Sequence, residues 1–170
     1  MQQRSFKRWL TRVVGLLMLT GVSVTAHAEI YMLVPNIPGD STGAYTGWIS
    51  VSSFSGNFTE RSCGDVIPTK GIDIASAQLA FATITGSVFS EIIIAVVSPT
   101  LDDEVLRIRL REAKIVSLNI VGGGADPELL AENLHIEPTS IEFESYIYDD
   151  EGLRIDTIQT GFSCARGRNT

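Results

Sequence analysis

From about residue 30 onward, apolar residues mostly alternate with polar ones or run in short β-branched blocks, a pattern of strands rather than amphipathic helices. Residues 30–34 (IYMLV) predict a first short strand and 47–54 (GWISVSSF) a second. Between them, 35–46 is rich in Pro, Gly, Asn, Asp and Ser and reads as a loop. Residues 55–70 hold Gly56, Asn57, Gly64, Asp65 and Pro68 and read as a long irregular loop. Residues 72–83 (IDIASAQLAFAT) alternate again, which predicts a strand with Ile72, Ile74, Leu79 and Phe81 inward. Residues 87–98 (SVFSEIIIAVVS) can be read two ways. Their β-branched content favours a strand, whereas a cap at Thr85 or Ser87, Glu91 near the start and Pro99 just beyond favour a helix.

The strongest strand signal covers 104–121. Leu106, Ile108 and Leu110 alternate with Arg107, Arg109 and Arg111. Beyond Glu112 the inward set moves to Ala113 and Ile115, and a second slip near Val116 and Ser117 brings Leu118 and Ile120 inward. Slips of this kind are what β-bulges produce where strands bend in barrels. Residues 122–127 read as a turn and 128–132 as a helical turn. In 136–148, Ile141, Phe143 and Ile147 share one side, with Glu142 and Glu144 on the other. Asp149-Asp150-Glu151-Gly152 then predicts a hairpin turn into a last strand over 153–162, followed by a frayed polar tail over 165–170. The sum is one mainly β, antiparallel barrel or sandwich with at most one helix.

The first 28 residues stand apart. Arg4, Lys7, Arg8 and Arg12 precede the apolar run 13–24 (VVGLLMLTGVSV), which ends at Ala26-His27-Ala28. A basic head, a short apolar middle and small residues at the cut predict a secretory signal peptide, cleaved between Ala28 and Glu29. The run is too short to span a bilayer, which takes about 20 residues. That leaves 29–170 as a single domain. Cleavage lowers the basic residues from 13 to nine against 20 acidic ones, so the net charge moves from −7 to −11. Such a chain is repelled by nucleic-acid phosphates and by anionic lipid. The expected partners exclude nucleic acid and any membrane span after cleavage. The two cysteines, Cys63 and Cys164, both lie in the exported part, where thiols pair. A disulfide between them would close a loop of about 100 residues, worth roughly 4–5 kcal/mol on chain entropy alone.

Little in the chain speaks for catalysis. With the leader removed, His135 is the remaining histidine, and no nucleophile motif surrounds any serine. Zinc lacks ligands of the usual kind. The acidic runs at 102–104 and 149–151 lack the ligand spacing of a calcium loop and fit solvated turns. Gly122-Gly123-Gly124 lacks the register of a nucleotide-binding loop. No catalytic residue, cofactor or metal is expected. The stripe Arg107, Arg109 and Arg111 has two readings: a solvated face paired with nearby carboxylates, or a contact with an acidic patch on another copy.

The order of segments carries a resemblance. IYMLVPNIPGDS looks like an opening strand running into a Gly-containing loop, and GWISVSSFSGN like a second strand with an aromatic before a Ser/Gly-rich stretch. KGIDIASAQLAFAT, SVFSEIIIAVVS, LRIRLREAKIVSLNI and LAENLHIEPTSIEFESYIY follow in the order of a strand, a main helix, a long bent strand and the strand before a last hairpin. This order resembles the Hcp (haemolysin-coregulated protein) family, the tube subunits of type VI secretion systems. The resemblance implies a single antiparallel β-barrel flanked by one α-helix at about 87–98. It also implies self-association into hexameric rings that stack into a tube and carry effectors, with no enzymatic role. The leader and the cysteine pair depart from the family pattern, which assembles in the cytoplasm. An exported, monomeric barrel that serves as a binding module is the alternative, and a secreted hydrolase with an unfamiliar site is a third. The expected location is the periplasm or the outside of the cell. Intact-mass analysis of the exported protein checks the leader: a chain starting at Glu29 is the expected result, and one retaining 1–28 contradicts it.

Overall fold

A single long strand organises the molecule. In the computed structural model, which describes residues 27–59, 62–122 and 130–164, strand β6 runs without a break over Asp103–Val121. Before it come β1 (Glu29–Leu33), β2 (Ile49–Val51), β3 (Ser53–Gly56), β4 (Val66–Gly71), helix α1 (Ser76–Thr85) and β5 (Val88–Ser98). After it come β7 (Ala131–Glu137), β8 (Ser140–Tyr148) and β9 (Arg154–Ser163). The predicted leader up to residue 26, most of the turn at 122–127 and the tail at 165–170 lie outside the described residues.

All pairings are antiparallel, in the order β2-β1-β5-β6-β7-β4-β3, with β8 on β6 and β9 on β8. The two ends of that path, β2 and β3, are consecutive pieces of chain separated by Ser52, whose N–H donates to the Thr69 carbonyl on β4 at 2.7 Å. The sheet thus curls into a barrel whose seam is closed by the chain itself rather than by a ladder. Its interior is aliphatic, with Met32, Ile49, Ile94, Leu110, Leu134 and Ile136 fully buried.

Strand β6 holds β5 along one edge but changes partner on the other, from β8 at Leu106–Arg111 to β7 at Lys114–Val121. The change falls at Glu112, which takes a positive φ of 45°. Before it Ile108 and Leu110 face the core, and after it Ala113 and Ile115 do, the first slip expected from the sequence. The second slip is also present, as a register shift between Ile115 and Ser117. Its consequence differs from expectation: Leu118 packs only partly on the core, and Ile120 is exposed because β6 has by then run past the barrel's end.

The helix is not where it was expected. Residues 88–98 form strand β5, and α1 occupies most of the segment read as a strand at 72–83. Strand β5 lies between β1 and β6 and is covered on both faces, so Ile92, Ile93, Ile94 and Ala95 are all buried and no alternation survives to mark it as a strand. On its outer face Ala95 sits in register between Tyr31 and Arg107, whose ring and aliphatic stem flank it. In α1 the buried positions are Leu79 and Ala82, and Ala75, just before its first residue, continues the same helical spacing. Alanine is the strongest helix former, and Gly86, at φ 65°, ends the helix while the Ser87 N–H returns to the Ala82 carbonyl at 3.0 Å. Of the four residues read as inward, Leu79 is buried, whereas Ile72, Ile74 and Phe81 are exposed, Phe81 by 69%.

Two smaller corrections follow from tertiary pairing. Strand β4 lies within the segment read as a long loop. Its ladder to β7 pairs Val66 with Ile136 and resumes at Thr69, stepping over Pro68, which has no N–H to give. The helical turn read at 128–132 is excluded at Ala131 and Glu132, which open β7.

A buried polar lock pins α1 to the barrel. Lys70 on β4 is 0% exposed, and its ammonium donates to Glu132 of β7 at 2.7 Å, to the Gly71 carbonyl at 2.7 Å and to Ser76 Oγ at 3.1 Å, with Asp73 Oδ1 at 2.8 Å. Asp73 in turn accepts the Ala75 N–H at 2.9 Å and gives its own N–H to Ser76 Oγ at 3.0 Å, capping the helix start. Removing one partner of such a pair strands a buried charge. Lys70→Met is expected to cost about 3–5 kcal/mol in urea unfolding, and Lys70→Met with Glu132→Met clearly less. Equal losses would show that the two charges are not coupled.

Candidate assembly surface

Because Ile108 and Leu110 face inward, Arg107, Arg109 and Arg111 stand on the outer face of β6. Their neighbours are acidic on both sides. Arg109 Nε donates to Glu144 and Arg111 to Glu142, each at 3.1 Å on β8, and both guanidinium groups reach Glu91 of β5, at 3.6 and 2.8 Å. Arg107 turns along its own strand to Glu104, with Nε at 2.8 Å. Of the two readings of this stripe, pairing within the chain is the one observed. Each part-exposed pair contributes at most about 1 kcal/mol. Glu142 and Glu144, on the side opposite Ile141 and Phe143 as read from the sequence, accept from Arg111 and Arg109 in that ladder.

The ladder continues into the β8–β9 hairpin. Its turn is the predicted one: Asp149 Oδ1 accepts the N–H groups of Glu151 and Leu153 at 3.1 and 2.8 Å, and Gly152 takes φ 80°. Arg154 lies 3.9 Å above the Tyr146 ring and reaches Asp103 at 2.8 Å, tying the hairpin tip to the start of β6. Tyr146 donates to Glu144 at 2.7 Å. Burial, and then that hydrogen bond, push the Tyr146 phenol up to about 12. Burial also opposes ionisation of Glu144, but hydrogen bonds from Tyr146 and Arg109 override it and hold the carboxyl below its ordinary range.

Beyond this point the hairpin has no cover. Among the described residues, strand β9 pairs with β8 alone, so its second edge is free there, and every one of its residues is exposed. Ile155, Ile158 and Phe162 are exposed by 62, 57 and 58%. Ile158 and Phe162 lie on the same face as Ile141, Phe143 and Ile147 of β8, so the core-facing side of the sheet extends outward as an open apolar face. The Phe58 ring stands edge-on to Phe143 at a centroid distance of 5.4 Å. At the far end, Cys164 follows β9 directly and is disulfide-bonded to Cys63, with Cα atoms 5.3 Å apart.

The other residues weighed for chemistry are placed apart from one another. His135 Nδ1 meets Asp65 at 3.2 Å on the outside of β7. Asp103 and Glu104 are engaged by Arg154 and Arg107. Among the described residues, no group of three or more His, Cys, Asp or Glu is arranged to hold a metal ion, and no helix is long and apolar enough to cross a membrane. The signal in sequence that marks the open surface is the run 157–163 (TIQTGFS), which puts Ile158 and Phe162 on one strand face and carries no charge in an acidic chain.

A family model described as "Type VI secretion system effector, Hcp" matches residues 31–149. The chain belongs to the Hcp family. The match ends at Asp149, so β9 and Cys164 of this Hcp-family chain lie beyond it. Solved Hcp structures share the fold at low identity. Hcp1 from Salmonella typhimurium superposes with a TM-score of 0.73 at 18% identity, covering 82% of this chain and 96% of that one. A type VI secretion system effector from Yersinia pestis gives 0.69 at 17%, covering 79% and 98%. The secreted protein Hcp3 from Pseudomonas aeruginosa gives 0.61 at 15%, covering 80% and 96%. No curated relative matches the chain significantly.

The lowered pKa of Glu144 has a measurable consequence. A carboxyl held below its unfolded value stabilises the fold above the ordinary carboxylate range, and that contribution is lost as pH falls through the folded value. Glu144→Gln is expected to cost about 1 kcal/mol near neutrality, with the gap to the parent closing as the solution is acidified. Urea midpoints at a series of pH values measure it, and a gap that stays constant with pH contradicts the assignment.

Proposed function

We propose that this Hcp-family chain is a structural, self-associating subunit that forms six-membered rings, which stack into a tube and carry effectors, and that it works in the periplasm or outside the cell. No residue in this role is catalytic. The observation that carries the reading is strand β9, ten residues long with a free edge and no buried side chain. A long, exposed, apolar edge templates pairing with another chain unless something covers it. A second copy covers it at no cost in new sequence, and a head-to-tail contact repeated by rotation closes into a ring. The uncharged run 157–163 lets copies approach there despite the net negative charge of the chain. The leader and the Cys63–Cys164 bond support an oxidising location.

The same acidic balance favours a second reading, an exported monomeric binding module, because it opposes self-approach at low salt. Light scattering on oxidised 29–170 at two salt concentrations separates the two. A mass of about six monomers supports the ring. A strict monomer at high protein concentration and both salts leaves the binding module. In the ring reading, Ile158→Lys reduces the mass about sixfold, while monomer stability changes by no more than about 0.5 kcal/mol because the side chain is exposed. An undisturbed hexamer in that variant removes β9 from the contact.

A further inference from the structure

The apolar patch at the hairpin is composite. Phe143, Ile158 and Phe162 come from β8 and β9, whereas Phe58 comes from the loop between β3 and β4, some 85 positions earlier than Phe143 along the chain (143 − 58). The two parts are held together weakly except at one point. Strand β9 buries none of its residues and pairs only with β8. Among the described residues, the loop carries the Thr59–Ser62 bridge, rests Phe58 on Phe143, and beyond Cys63 meets β7 through Asp65, 3.2 Å from His135. Cys63 is buried in the core cluster, and its bond to Cys164 ties the open end of β9 to that loop. The Cys164 N–H adds a hydrogen bond to the Thr139 carbonyl at 2.8 Å.

We propose that the Cys63–Cys164 bond builds the assembly surface, so that this chain self-associates only when oxidised. The inference rests on the ring reading above and adds its regulation. In the dithiol form, β9 is an edge strand with exposed backbone bonds and no packed side chain, the kind of element that opens locally at little cost. Its end then leaves the loop, and the patch that combines Phe58 with Phe162 is lost. Closure transfers two electrons and two protons from the two thiols to an oxidant of the disulfide class, for instance oxidised glutathione, which is released as two reduced molecules. Before export the thiols stay reduced and the surface is absent; after export the bond forms and assembly follows.

Three samples of 29–170 test this: oxidised, reduced with dithiothreitol, and Cys63→Ala with Cys164→Ala. Light scattering is read beside far-UV circular dichroism and amide hydrogen exchange. The expected result is a hexamer in the first sample and a mass about sixfold lower in the other two, with an unchanged far-UV spectrum. Exchange protection falls about tenfold or more in β9 and at residues 57–59 and 62–63 while β5 and β6 keep theirs. Re-oxidation with oxidised glutathione restores the hexamer. A hexamer that survives reduction overturns the switch and leaves the ring reading standing. An oxidised monomer overturns the ring reading and the switch with it. Loss of protection across β5 and β6 on reduction also overturns the switch, because the bond is then a staple of the whole fold.

Discussion

With β5 along one edge, strand β6 must serve two neighbours in turn along the other, and much of the architecture follows from that. Its first half pairs with β8 and its second with β7, so its buried face must change phase where the partner changes. Glu112 absorbs the change in a left-handed conformation, which costs a non-glycine residue about 1–2 kcal/mol. Strand β5 follows β6 through the flip, with Phe89 inward on one side of it and Ile92 and Ile94 on the other. The barrel and the outlying β8–β9 hairpin are therefore two branches of one sheet. Side chains on the β8 branch continue the core-facing surface outward, past the point where the barrel can cover it.

Charge is handled in two different ways. At the bottom of α1 a lysine is fully enclosed, and its three polar partners and one backbone carbonyl satisfy it while fixing the helix against β4 and β7. On the outer face of β5, β6 and β8, arginine and glutamate alternate in a partly exposed ladder. The enclosed lock is energetically large if broken, whereas the ladder is worth little per pair. The ladder serves instead to neutralise the arginine stripe within the chain, so that stripe is not free to reach another copy. The face left without partners within the chain is the one that carries Phe143, Ile158 and Phe162 on the hairpin.

Family membership and the open hairpin support the same reading, and the disulfide ties the end of that hairpin to the loop before β4. The family model's match stops at Asp149, whereas the solved Hcp structures cover up to 84% of the chain, a share that needs β9 as well. In the proposed reading, a contact surface completed after export keeps the subunits apart until they have crossed the membrane. The bond sits at the end of β9, the strand proposed to form the contact.

By itself the sequence determined the elements whose signal is local. The alternation of Leu106, Ile108 and Leu110 with arginines marked β6, the slip past Glu112 marked its bend, and Asp149 to Gly152 marked the last turn. The order of segments was enough to bring the Hcp family into view. Segments whose neighbours decide their state were not legible. Residues 72–83 satisfy both periods, because Leu79 and Phe81 alternate while Ala75, Leu79 and Ala82 share a helical face, and only the site beneath the helix, with Lys70 and the barrel end, selects the second. Residues 88–98 lost their alternation because sheet neighbours and arginine stems bury both faces. Strand β4 carries a proline that a sequence reading takes as a break, and the fold accommodates it at a gap in the ladder. Local periodicity is written in one stretch of chain, but burial belongs to pairs of stretches, so tertiary structure alone decided which faces were covered and left β9 open.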